Sequence, residues 1–176
     1  MKEKTTAIVL AAGQGKRMNS KVQKQFLKIQ GHPVLYYSLK CFERSPLIQN
    51  IIVVTGKDMI SYCEKEIIEH YGFTKVTAVI AGGKERYDSV YKGLLACKDC
   101  EYVFIHDGAR PFITEEILES GMFGVRETGA CVVGMPSKDT VKVSDETDFV
   151  RETPDRKRVW TIQTPQIFAY DLIKKA

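Results

Sequence analysis

The stretch Ala7-Ile8-Val9-Leu10-Ala11-Ala12-Gly13-Gln14-Gly15-Lys16-Arg17-Met18 decides the fold class. Its opening apolar run, Ala7–Ala12, has the length of a strand covered on both faces. The run passes straight into a small-residue loop, with Lys16 and Arg17 in the loop and Lys24 a little further on. Backbone N–H groups in such a loop can come close to a phosphate, and the cations neutralise it. Two familiar phosphate loops do not fit. A Walker A loop follows its lysine with Ser or Thr, and here Arg17 follows Lys16. A dinucleotide loop puts a third glycine where Met18 stands and an acidic residue about 20 positions on, where this chain has Gly31-His32-Pro33. Stripped of its cations, the same loop reads as a tight strand-to-helix turn.

Working outward, the strand signal recurs at Ile51–Thr55, Val76–Ile80, Tyr102–Ile105 and Ala130–Met135. Helical spacing fills the intervals. Leu35, Leu39 and Phe42 share one face, as do Ile60, Cys63, Ile67 and Tyr71, and then Val90, Leu94 and Cys97. Thr114 is placed to cap a fourth helix, with Glu115 and Glu116 in its first turn. Alternating buried strands and amphipathic helices predict an α/β fold: a mostly parallel sheet with helices on both faces. After Pro136 the pattern turns polar. Thr140–Val143 and Phe149–Glu152 alternate around Ser144-Asp145-Glu146-Thr147, which predicts a hairpin projecting as an arm over about residues 137–158. A lone hairpin is marginal in water, so a second subunit is its expected packing surface.

Bulk properties narrow the function classes. A chain of 176 residues, 44% hydrophobic and 27% charged, is expected to form one domain, 1–176. A net charge of +4 with no long basic block argues against nucleic acid and suits a small anionic substrate. The absence of a long apolar run and of a signal-peptide core predicts no membrane association and a cytoplasmic location. Five cysteines, an odd number, are expected to be reduced thiols, and the single Cys97-Lys98-Asp99-Cys100 pair is weak as a zinc signature.

Ligands of parallel α/β sheets bind beyond the carboxyl ends of the strands, and three segments fall there. The first runs from Ala11 through Gly15 to Lys24. The second is Gly82-Gly83-Lys84-Glu85-Arg86-Tyr87-Asp88-Ser89, whose glycines permit close backbone approach and whose Ser89 is a donor in a helix's first turn. The third is His106-Asp107-Gly108-Ala109-Arg110-Pro111. There Asp107 is a candidate for a divalent cation or a substrate hydroxyl, and Arg110 for a phosphate. The plainer reading is an Asp–Arg pair that fixes the loop, with His106 structural. Two glycine loops, a carboxylate and several cations together describe a nucleotide-plus-metal site. The chemistry this suggests is transfer at phosphorus, where positioning and charge neutralisation supply most of the catalysis.

Five ordered motifs carry a resemblance. The loop Ala11-Ala12-Gly13-x-Gly15-x-Arg17-Met18 with Lys24-Gln25-Phe26 resembles the nucleotidyltransferases of sugar nucleotides and polyol phosphates. Gly82-Gly83-x-Glu85-Arg86-x-x-Ser89-Val90, His106–Pro111, Asp139-Thr140-Val141-Lys142 and Gln163-Thr164-Pro165-Gln166-x-Phe168 narrow it to the 2-C-methyl-D-erythritol 4-phosphate cytidylyltransferases of isoprenoid biosynthesis. The resemblance implies a three-layer, Rossmann-like nucleotidyltransferase fold that takes CTP with Mg²⁺ and a polyol phosphate. It implies that Arg17 and Lys24 stabilise the transition state. It places Ala11, Ala12, Gly13, Gly15, Gly82, Gly83, Ser89 and Gly108 at the nucleotide, with backbone carbonyls available to the cytosine amino group. It places Asp107, Arg110, Thr140 and Thr164 at the acceptor. Finally, it implies a homodimer whose arm carries Arg156 into the neighbouring site.

The ribitol-5-phosphate cytidylyltransferases share most of these motifs. Asp155-Arg156 before Val159-Trp160, and the Gly108-Ala109 pair, favour the isoprenoid family. Lys84 stands where that family often carries an acidic residue near the ribose. The family also continues for some tens of residues past Ala176, so acceptor binding by this chain is expected to be impaired, and a CTP-binding fragment without turnover is a further alternative.

Overall fold

The computed structural model describes residues 3–13 and 22–176. Strand β1 (Thr5–Ala11) is followed by a 3-10 turn at Lys24–Phe26, a small ladder of β2 (Lys28–Ile29) with β3 (His32–Pro33), and α1 (Val34–Arg44). Next come β4 (Asn50–Thr55) and a helical run of three windings: a 3-10 turn at Lys57–Met59, α2 (Ile60–Tyr62) and a π-helical stretch at Cys63–Glu69. The chain continues through β5 (Val76–Ala81), α3 (Arg86–Ala96), β6 (Tyr102–Asp107), α4 (Glu115–Thr128) and β7 (Ala130–Pro136). The arm strands β8 (Val143–Ser144) and β9 (Val150–Glu152) lead into β10 (Trp160–Ala169) and α5 (Tyr170–Lys175).

The main sheet has the order β5-β4-β1-β6-β10-β7. β1 runs parallel to β4 and β6, and β4 parallel to β5, while β10 is antiparallel to both β6 and β7. The predicted mostly parallel sheet is therefore present, with one reversed strand that the sequence reading did not include. β1 is central and feeds both faces. Ala7, Val9 and Ala11 enter a core with Leu35, Leu39, Phe42, Ile67, Leu118 and Met122 of the helices on one side. Ile8 enters the opposite core with Leu94, packed against Ile173. This is the three-layer arrangement that period-2 alternation in β1 requires. Each fully buried Val, Leu, Ile, Phe or Met among them contributes about 1.5–3 kcal/mol.

Three local expectations are corrected. The arm ladder pairs only Val143 and Ser144 with residues of Val150–Glu152, so residues 140–142 are not strand, and Ser144 belongs to the ladder rather than the turn. Asp145 sets the turn by accepting from the Thr147 and Phe149 N–H groups, an Asx-type closure that a strand pattern does not reveal. Thr114 is the N-cap of α4 by position, but its side chain caps no helix N–H; its hydroxyl turns to donate to the Glu116 carboxylate instead. All five cysteines are free thiols. No helix among the described residues is long and apolar enough to cross a membrane.

Candidate active site

The carboxyl ends of β1, β5 and β6 open into one cavity of about 660 Å³, within the range of small-molecule and cofactor sites. Ala12 and Gly13 line it from β1, Gly83 and Ser89 from the β5–α3 connection, and Asp107 and Ala109 from β6. Lys84, Glu85, Arg86 and Gln25 complete its walls. The three segments singled out by sequence thus converge, with Ala11, Gly82 and Gly108 one residue behind the lining. The Gly108 N–H donates to Leu10 O at 2.8 Å, tying the third segment to the first.

Gly82 shows why a side chain is excluded here. A Cβ on it would stand 2.8 Å from Ala12 Cβ and 2.7 Å from Ser89 Oγ, so the two loops touch only because it has none. Ser89, buried at the start of α3, accepts from the Gly83 N–H at 3.0 Å and donates to Glu85 O at 3.2 Å. Its hydroxyl therefore holds the glycine loop from a position on the cavity wall. Several carbonyls expected to receive the cytosine amino group are already partnered. Ala11 O and Gly13 O accept from Gln25, and Gly82 O accepts from Lys92 Nζ at 2.9 Å.

Asp107 sits between two guanidinium groups. Arg86 Nε donates to its Oδ1 at 3.2 Å and Arg110 Nε to its Oδ2 at 3.0 Å. Arg86 also reaches Gln166 Oε1 at 3.0 Å, and Arg110 reaches Gln163 Oε1. The Asp–Arg pair that fixes the loop is thus present, doubled by Arg86. Thr164 Oγ1 accepts from the Asp107 N–H at 3.2 Å and meets His106 Nδ1 at 3.0 Å. His106 is buried against the Phe42 ring, and burial holds its pKa down at about 4. Neutral, it must donate from Nε2, because its partner at 3.1 Å is the Arg110 carbonyl. Nδ1 is then the acceptor, and the Thr164 hydroxyl donates to it. Thr164 is oriented from both sides.

The arm residues Thr140 and Arg156 are exposed and do not line the cavity. Arg156 donates to Lys138 O at 3.3 Å, within the arm. Lys24 is exposed on the short turn whose next two residues, Gln25 and Phe26, are buried. Gly15 and Arg17 lie outside the described residues. Sequence reasoning missed Gln25, Arg86, Gln163 and Gln166 as site residues. All four stand inside the quoted motifs, and that was their only signal.

The described residues do not make a resident cation site. Among the described residues no three His, Cys, Asp or Glu side chains gather to hold a metal, and both Asp107 oxygens carry guanidinium partners. Mg²⁺ needs few protein ligands when it travels on substrate phosphates.

Comparison with known proteins agrees with this geometry. The family model described as 2-C-methyl-D-erythritol 4-phosphate cytidylyltransferase matches residues 5–176. A protein of that name from Lachnoclostridium phytofermentans is 56% identical over 174 residues, which cover 99% of this chain and 74% of the relative. One from Lachnospira eligens is 51% identical, covering 97% and 75%. The crystal structure of 4-diphosphocytidyl-2C-methyl-D-erythritol synthase from Anaerococcus prevotii superposes with a TM-score of 0.86 at 36% identity, covering 98% of this chain and 73% of that one. With a loop-lined cavity at three strand ends and a family match over nearly its whole length, the chain belongs to the 2-C-methyl-D-erythritol 4-phosphate cytidylyltransferase family.

Proposed function

We propose that the cavity binds CTP as its magnesium complex and that the chain transfers the cytidylyl group to 2-C-methyl-D-erythritol 4-phosphate. An acceptor phosphate oxygen attacks the α-phosphorus, the bond from that phosphorus to the bridging oxygen breaks, and pyrophosphate leaves with its electron pair. The convergence of Ala12–Gly13, Gly83 and Asp107 on one cavity carries this reading, and family membership specifies the substrates.

The backbone of Ala12–Gly13 and Gly83 receives the nucleotide. Charge gathers on the α-phosphate and the leaving group in the transition state, and Arg17 and Lys24 meet it there. Donors of this kind are worth about 10²–10³ in rate each. Asp107, Thr164 and Arg110 face the acceptor, with Thr140 and Arg156 supplied by the arm of a second copy in a homodimer. The exposed apolar residues Phe149, Val150 and Trp160 of the arm and the adjoining strand are consistent with burial against that copy.

Replacing Lys24 with Ala tests the assignment. Turnover should fall at least a hundredfold with the melting temperature unchanged, as pyrophosphate release and calorimetry would show. Near-normal turnover removes Lys24 from the mechanism.

A further inference from the structure

Gln25 is a polar side chain only 3% exposed, at the wall of the cavity. Its Nε2 lies 2.5 Å from Ala11 O, 3.1 Å from Gly13 O and 2.8 Å from Gln23 Oε1. A primary amide has two N–H groups, so three oxygens compete for two protons and the donor end has no freedom to turn away. Two of these oxygens belong to the end of β1 and the residues just after it. The third belongs to the N-cap of the turn that bears Lys24. Gln25 therefore joins the two ends of the chain segment between Gly13 and Gln23.

We infer that Gln25 is a positioning residue for the nucleotide, acting through the backbone that meets the polyphosphate. The carbonyl and the next N–H of a trans peptide point in opposite directions. Holding Ala11 O against Nε2 thereby sets the direction of the Ala12 N–H. The same bonds fix where Lys24 leaves the chain. The cost to folding of losing the amide is small. Ala11 O keeps a bond from the Thr55 hydroxyl at 3.4 Å, and Gly13 is exposed to water. What the amide supplies is order in the nucleotide half of the site, while Asp107 and Thr164 are held by a separate set of bonds. This inference rests on the CTP reading above.

The test compares CTP binding by calorimetry in the unaltered chain, Gln25→Met and Gln25→Glu, with steady-state kinetics for both substrates. Gln25→Met keeps length and apolar bulk and deletes the donor. CTP affinity should weaken about tenfold, for the loss of two hydrogen bonds, with the KM for the acceptor within about twofold of the original. Gln25→Glu places an acceptor among three acceptors and should bind CTP more weakly still at pH 8. Lowering the pH to 6 protonates that buried carboxyl and restores an O–H donor, so its affinity relative to the unaltered chain should recover, while that of Gln25→Met should not. Both variants binding CTP within twofold of the unaltered chain overturns the inference. So does an equal rise of both KM values, or the absence of recovery in Gln25→Glu. Failure of the unaltered chain to bind CTP at all defeats the proposed function instead.

Discussion

His106 and Asp107 are neighbours at the end of β6 with opposite roles. Strand alternation turns the imidazole into the core and the carboxylate into the cavity. Folding lowers the His106 pKa from 6.5 to about 4 by burial, so the unfolded chain binds that proton more tightly. The stability tied to this group is intact above pH 6.5 and is lost as the pH falls toward 4, to a limit of about 3 kcal/mol. Melting curves between pH 7.5 and 4.5 should fall more steeply for the unaltered chain than for His106→Gln, and equal slopes would contradict this origin. The thiols make a second residue-scale case. A hydrogen bond from Cys97 holds the Cys100 thiol below its ordinary value, and burial pushes Cys41 up to about 11. Iodoacetamide at pH 7.5 should label Cys100 before Cys41 by mass spectrometry, and the reverse order would contradict this. Asp107, which lines the cavity, was legible from its place at a strand end, and Thr164, which is bonded to it, only from a motif. The roles of Arg86 and Gln25 were not, since a long polar side chain leaves no periodic trace and Arg86 finds partners 21 and 80 positions away.

At the scale of elements, legibility followed hydrophobic continuity. β1, β4, β5, β6 and β7 are apolar runs and were read within two residues at each end. β10 was not read. It mixes Thr161, Gln163 and Thr164 with its apolar residues, and Pro165 interrupts it where the register to β7 shifts between Ile162 and Gln166. Such a strand follows from its neighbours β6 and β7 rather than from its own pattern. The π-helical winding at Cys63–Glu69 was likewise invisible, because Cys63 and Ile67 suit an ordinary helix equally well. The β5–α3 connection offers the sharpest test at this scale. A Cβ on Gly83 would stand 2.1 Å from Asp88 Cβ, and Asp88 forms the capping box of α3 with Glu85. Gly83→Ala must shift the helix's first turn. The expected cost is about 1–3 kcal/mol, with several degrees lost in Tm and weaker CTP binding. An unchanged melting temperature would show that this contact is not as tight as the structure has it.

At the scale of the whole molecule, the sheet assembles the cavity at its strand ends within one chain, and the arm stands apart from it. Residues 142–153 are exposed throughout, the ladder residues Val143 and Val150 by 42% and 60% and the adjoining Phe149 by 74%. Solvated apolar side chains on a two-stranded ladder are unstable as an end state, which is the physical case for a second copy. Sedimentation velocity at micromolar concentration should show a dimer. Phe149→Asp should shift it toward monomer and lower acceptor turnover without changing CTP affinity, and a monomeric chain with full turnover would remove the partner's arm from the site. The central claim is that one cavity activates CTP toward a specific polyol phosphate. Pyrophosphate release measured with CTP and either 2-C-methyl-D-erythritol 4-phosphate or ribitol 5-phosphate tests it most directly. The structure and its family predict release with the first and little with the second, whereas preferential release with ribitol 5-phosphate, or CTP binding without release from either, would contradict it.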